Sequence, residues 1–175
     1  MKIYFTYNAW CKQWALLNKF DTEIAWHGLM RPIEGGYEVY DILVYPQEVT
    51  GGTVETDQVK YQTWLMDQPD EVFNHIRYQG HSHVNMMPYA SGTDEVNQER
   101  LVAQLPQDGF YLFMIWNKQG YYTATLYDHG TMYDEHQIKL STENPYAGFV
   151  EQARSLLTEK VYKAKEVHHE LEQKP

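Results

Sequence analysis

The chain has 175 residues, about one domain's worth of length. Hydrophobic residues make up 43% of it, enough for one full core, and at this size roughly 70% of the unfolded surface can be buried. Lys plus Arg number 14 against 24 Asp plus Glu, a formal net charge of −10. That excess argues against an electrostatic nucleic-acid binder, which needs a basic patch, and against adhesion to an anionic membrane surface. The longest near-continuous apolar run, Phe110 to Trp116, is far short of the ~20 residues of a membrane helix. The N-terminus carries one Lys and a mixed polar-aromatic stretch, so no secretory signal is expected. Cys11 is the only cysteine, which excludes an intramolecular disulfide and a cysteine-cluster metal site; the expectation for it is a small buried side chain. The chain reads as a soluble, acidic, cytoplasmic protein. Its main domain spans residues 1–140 and is followed by a C-terminal helical extension over 141–175.

In chain order, Asn8 to Phe20 repeats apolar side chains at helical spacing. Ile24 to Met30 reads as a buried strand, Gly35-Gly36 as a two-residue hairpin, and Tyr37 to Tyr45 as the return strand ended by Pro46. Gly51-Gly52 marks a loop or bulge. Asp57 to Tyr78 has a helical pattern that Pro69 divides. A short strand over Gln79 to Val84, a loop over Met86 to Gly92 and a helix from Ser91 to about Leu105 follow. Phe110 to Trp116 and Tyr121 to Tyr127 are aromatic-rich strands around Asn117 to Gly120, and Met132 to Leu140 is a strand pair or an irregular edge. Ala147 to about Leu171 reads as a long polar helix with Phe149, Val150, Ala153, Leu156, Leu157 and Val161 as its apolar positions. His168-His169 near its end are adjacent, so they do not share a helix face and read as solvated. Interspersed helices and strands give an α/β (α+β) class around one sheet.

The chemically informative stretch runs from Gly80 to Asp94. His81 and His83, two apart on a strand, point to one face with Cα atoms about 7 Å apart, close enough to converge on one ion. Asp94, in the first turn of the next helix, can fold its carboxylate back as a third ligand. Two His and one Asp leave a tetrahedral zinc with an open fourth position, which marks a catalytic rather than a structural site. Against this, Ser91-Gly92-Thr93-Asp94 is also a plain capping box, and capping and ligation would compete for the Asp94 carboxylate. The whole string reads H-x-H-x7-S-x2-D, which arises by chance on the order of once per thousand such chains.

This string resembles the signature of the JAMM (MPN-plus) zinc metalloproteases: an upstream Glu, then H-S/T-H, seven residues, Ser, two residues and Asp. His81, Ser82, His83, Ser91 and Asp94 match it position by position, and Glu23, opening Glu23-Ile24-Ala25-Trp26-His27 after the first helix, takes the place of the Glu. The string Gly80-His81-Ser82-His83-Val84-Asn85-Met86, with Pro46-Gln47-Glu48-Val49-Thr50-Gly51 upstream, is similar to the bacterial and phage branch. Many members carry Gly three residues after the Glu where this chain has Trp26, so Glu34, Glu38, Glu48 and Glu55 stay open as alternatives. The resemblance spans residues 1 to about 128 and implies a curled mixed sheet packed between helices. It further implies Zn2+ on His81, His83 and Asp94, Glu23 as the base that activates the zinc-bound water, and Ser91 as a donor to the developing oxyanion. The substrate it implies is a protein or peptide, cleaved at a peptide or isopeptide bond, with the C-terminus of a ubiquitin-like protein as one form. A non-catalytic scaffold on the same fold and a zinc amidohydrolase of small molecules are the competing readings. His27 is expected to be a buried, hydrogen-bonded residue, and Ser82 to serve packing or the backbone.

Overall fold

The computed structural model describes residues 1–158. They divide into two compact units, residues 1–143 and a second that begins at Asn144. The first unit holds an eight-stranded mixed sheet and four helices; a fifth helix lies in the second.

The chain opens with β1 (Lys2–Phe5), which inserts Ile3 and Phe5 into the core. Thr6 then caps α1 (Tyr7–Lys19) by accepting from the Ala9 N–H. A hairpin of β2 (Ala25–Ile33) and β3 (Gly36–Leu43) follows. Its turn residues are Glu34 and Gly35 rather than Gly35 and Gly36, with Gly35 at φ 77°. Gly36 already belongs to β3; a Cβ there would lie 2.0 Å from the Lys2 carbonyl oxygen of the neighbouring strand. A small ribbon, β4 (Glu48–Val49) and β5 (Val54–Glu55), encloses the Gly51-Gly52 loop.

The segment with the helical pattern forms α2 (Gln58–Met66) and α3 (Asp70–His75), separated at Pro69 as expected. Helix stops at His75, three residues short of Tyr78. From Ile76 the burial alternates strictly along β6 (Ile76–Ser82), with Ile76, Tyr78, Gly80 and Ser82 facing inward. Then come α4 (Gly92–Val102), β7 (Phe110–Trp116) and β8 (Tyr122–Asp128). The Met132 to Leu140 segment is a strand pair of an unexpected kind. β9 (Thr131–Asp134) and β10 (Lys139–Thr142) do not pair with each other but occupy opposite edges of the sheet, whose order is β10-β1-β3-β2-β6-β7-β8-β9. Four residues, 135–138, join them and reach about 17 Å at full extension. The sheet must therefore curl until its two edges approach.

In the second unit, α5 (Ala147–Leu156) ends where Leu157 turns to extended backbone, its N–H donating to the Arg154 carbonyl. The rest of the expected helix, with Val161 and His168-His169, lies outside the described residues. No described helix is long and apolar enough to cross a membrane.

The two faces of the sheet differ. On the inner face Trp26 and Met30 of β2, Tyr78 of β6 and Leu112, Met114 and Trp116 of β7 meet Leu17 of α1 in one apolar core. At its centre the Tyr78 hydroxyl donates to Gln13 Oε1 at 2.7 Å and accepts from the indole N–H groups of Trp26 and Trp116 at 3.4 and 3.2 Å. Trp26 faces Gly80 across the β2–β6 ladder, and a Cβ on Gly80 would stand 2.4 Å from its Nε1. The opposite face carries His27, Gln79, His81, Tyr111, Phe113 and Ile115 by the same alternation. Cys11, expected to be buried, is exposed on α1, because Gln13 and Leu17 instead of Cys11 take the inward positions.

Candidate metal centre

β6 delivers His81 on the outer face, and His83 follows just beyond the strand's end. The strand is stopped by Val84, which adopts φ 50°, a left-handed conformation costly for a β-branched residue. The buried Ser82 hydroxyl accepts from the Val84 N–H at 3.0 Å, and the Val84 carbonyl accepts from Lys118 at 2.8 Å. Ser82 thus serves the backbone, as expected from its inward position. The turn leaves His81 Nε2 and His83 Nε2 only 3.1 Å apart. His83 Nδ1 donates to the Met87 carbonyl at 3.1 Å, which fixes the tautomer with the Nε2 lone pair toward His81. Burial pushes the His81 imidazole down to about 4, assisted by His83 and opposed by Asp94, so it is neutral near pH 7 and competent as a ligand.

Asp94 divides its two oxygens, so a cap and a ligand role need not compete for the same atom. Its Oδ2 accepts from the Ser91 N–H at 2.8 Å and from the Ser91 hydroxyl at 2.7 Å, and Ser91 Oγ accepts from the Asp94 N–H at 3.3 Å, closing a full capping box on α4. Its Oδ1 stands 3.6 Å from His81 Nε2. One ligand atom from each of His81, His83 and Asp94 lies within 4.8 Å of the others. A tetrahedral zinc with bonds of about 2.0 Å separates its ligand atoms by about 3.3 Å. The 3.1 and 3.6 Å separations bracket that value and the third pair lies within 4.8 Å, so the group could hold a metal ion.

No known protein family matches the chain, and no curated protein sequence matches it.

The three residues border a cleft of about 490 Å³ that also contains Glu23, Ser91 and Thr93. Glu23 is buried, just before β2. Its N–H donates to Thr50 at 2.9 Å, and burial raises its carboxyl above the ordinary range, opposed by His83 and reinforced by Asp94. Of the other acidic candidates, Glu55 reaches the same cleft but is exposed, Glu38 pairs with Arg31, and Glu34 and Glu48 are exposed on a turn and on the ribbon. Glu23 alone combines burial with the cleft.

His27 is buried away from the cleft. Its Nε2 meets the Tyr61 hydroxyl at 2.9 Å, its ring packs on Tyr45 and Trp64, and burial pushes it down to about 4. The cleft walls include residues with no motif to mark them: Tyr45, Gln79, Asn97 and residues 52–56 with the β5 strand. Of these, only the Gly51-Gly52 loop left a signal in the sequence. Met86, Met87 and Tyr89 are exposed on the loop between the ligands, which Asn117 pins by donating to the Met86 carbonyl at 3.1 Å and Thr123 by donating to that of Pro88 at 2.6 Å.

Proposed function

We propose that the protein is a zinc-dependent hydrolase of the JAMM type that cleaves a peptide or isopeptide bond, with a ubiquitin-like C-terminus as the substrate class the resemblance implies. The observation that carries this reading is the convergence of one ligand atom each from His81, His83 and Asp94 within 4.8 Å, in a cleft whose wall contains a buried carboxylate, Glu23. When bound, zinc supplies Lewis acidity and a water nucleophile available near neutral pH. Glu23 accepts a proton from the attacking water as its oxygen bonds to the carbonyl carbon. It returns that proton to the departing nitrogen as the C–N bond breaks. A raised carboxyl suits both halves of this exchange. The Ser91 hydroxyl turns from Asp94 Oδ2 to donate to the oxyanion, while the Ser91 N–H keeps Asp94 in place. An extended chain is favoured over a small amide because one wall of the cleft is β5, whose second edge has no strand partner among the described residues and can add a substrate strand.

The test is zinc content by elemental mass spectrometry of the purified protein and of His83→Ala, followed by turnover of peptide and isopeptide substrates. One zinc per chain, absent from His83→Ala, is the expected result. Glu23→Gln is expected to keep zinc and lose about 10²–10⁴-fold in turnover. Absence of zinc after reconstitution, or loss of zinc in Glu23→Gln, would refute the assignment.

A further inference from the structure

We infer that Gln47 is the positioning residue for Glu23, its side-chain amide standing in for a strand residue that β3 lacks. The inference rests on the hydrolase reading above, since it assigns Gln47 a role through Glu23.

β2 runs one full turn of the ladder further than its partner. The last β3 residue, Leu43, pairs with His27, and the chain then leaves the sheet through Val44, Tyr45 and Pro46. Pro46 has no N–H to offer a ladder. Ala25, two residues earlier on β2, is 3% exposed, so its N–H and carbonyl on that side have neither strand nor solvent. Gln47 answers both at once. Its Oε1 accepts from the Ala25 N–H at 2.8 Å, and its Nε2 donates to the Ala25 carbonyl at 2.8 Å and to the Tyr45 carbonyl at 3.1 Å. Only a primary amide can do this: a carboxylate cannot donate, an ammonium cannot accept, and Asn is one methylene shorter.

On the other side of the same segment Ser82 donates to the Ile24 carbonyl at 2.9 Å, and Ala25 is in register with the ligand His81. Two residues before Ala25, the Glu23 N–H is held by Thr50. The stretch 23–25 is therefore clamped between the ligand strand and a side chain. Gln47 does not line the cleft, so it touches no substrate; it sets where the Glu23 carboxylate stands relative to His81. A shift of about 1 Å in such a group costs about 10²-fold in rate.

The experiment replaces the native metal with Co2+, whose visible absorption follows the ionisation of its solvent ligand, and records the pH midpoint of that absorption for wild type, Glu23→Gln, Gln47→Ala and the double variant. Glu23→Gln is expected to move the midpoint. Gln47→Ala is expected to move it in the same direction by about half as much or more, with Co2+ stoichiometry unchanged, and the double variant to match Glu23→Gln alone. A midpoint that moves in Glu23→Gln but not in Gln47→Ala overturns the role of Gln47 and leaves the hydrolase reading standing. A wild type that takes up no Co2+, or a Glu23→Gln midpoint that does not move, overturns that reading and this one with it. Should Gln47→Ala lose its far-ultraviolet circular dichroism, Gln47→Glu, which keeps the acceptor for the Ala25 N–H, replaces it. Loss of the fold in both variants would make Gln47 a structural residue and overturn the inference.

Discussion

The two faces of the curled sheet are built to different standards. Against the inner face, α1 buries Ala9, Gln13 and Leu17, and Trp10 and Trp14 meet Trp116 edge to face with ring centroids 5.8 and 6.4 Å apart. The outer face bears the candidate centre, and its helix α4 buries no residue at all. Gln98 of α4 even borders a hollow of about 190 Å³ over Phe113, Ile115 and Thr125. The helix that supplies Asp94 is thus held by its capping box and its flanking loops more than by a packed stripe. Packing is dense on one side of β2 and β6; looser cover on the other leaves the cleft open. Stability and chemistry are therefore separable here, and variants on each face should show it.

The largest effect belongs to the inner face. Trp116→Ala removes a side chain that is 1% exposed and leaves Tyr78 without one of its indole donors. It should cost about 3–5 kcal/mol, read as a fall in the urea midpoint, with zinc stoichiometry unchanged in the protein that remains folded. Zinc loss in proportion to the destabilisation would erase the division between the faces.

The second effect tests the boundary at His27. This buried imidazole is pushed down to about 4 from an ordinary 6.5, so the unfolded chain takes up a proton that the folded one refuses. Its contribution to stability is complete above pH 6.5 and is lost as pH falls toward 4, by up to about 3 kcal/mol. His81 follows the same direction in the metal-free protein. His27→Gln should therefore flatten, without abolishing, the drop in urea midpoint between pH 7 and pH 4 measured in the presence of a chelator. An unchanged drop would place the acid sensitivity elsewhere.

How legible these features were in the sequence depended on the range of the interactions that make them. The three candidate ligands and the cap lie within residues 81–94, where strand and helix periodicity fix directions locally, so their convergence could be read. α1 and the β7–β8 pair were equally plain. The β6 start was masked because Val72, Phe73 and Ile76 continue a helical spacing, whereas the Ile76, Tyr78, Gly80 alternation acquires meaning only beside β2 and β7. β1 escaped notice because four residues between two parallel partners, β3 and β10, carry no local turn signal. The separation of β9 from β10 is a matter of sheet closure, which no short window contains. Gln47 lies in the Pro46 to Gly51 string that carries part of the resemblance, but its role left no local signal for the same reason: a side chain replacing a strand residue has no periodicity.

The smallest effect is the most discriminating, because it acts on one carboxylate that caps α4 and is proposed to hold the metal as well. Ser91→Ala removes the hydroxyl from Asp94 Oδ2 but leaves the Ser91 N–H on that oxygen and leaves Oδ1 toward His81. It should lower stability by about 1 kcal/mol, the worth of an N-cap, while zinc stoichiometry stays intact and turnover falls. Asp94→Ala removes both oxygens, so it should lose a similar amount of cap and the metal as well. The pair of variants, compared by elemental analysis and by urea midpoint, separates the two duties. Equal zinc loss in both would mean that the serine hydroxyl holds Oδ1 in place indirectly, and that cap and ligand are one device; zinc retained in both would remove Asp94 from the ligand set and leave it only the cap.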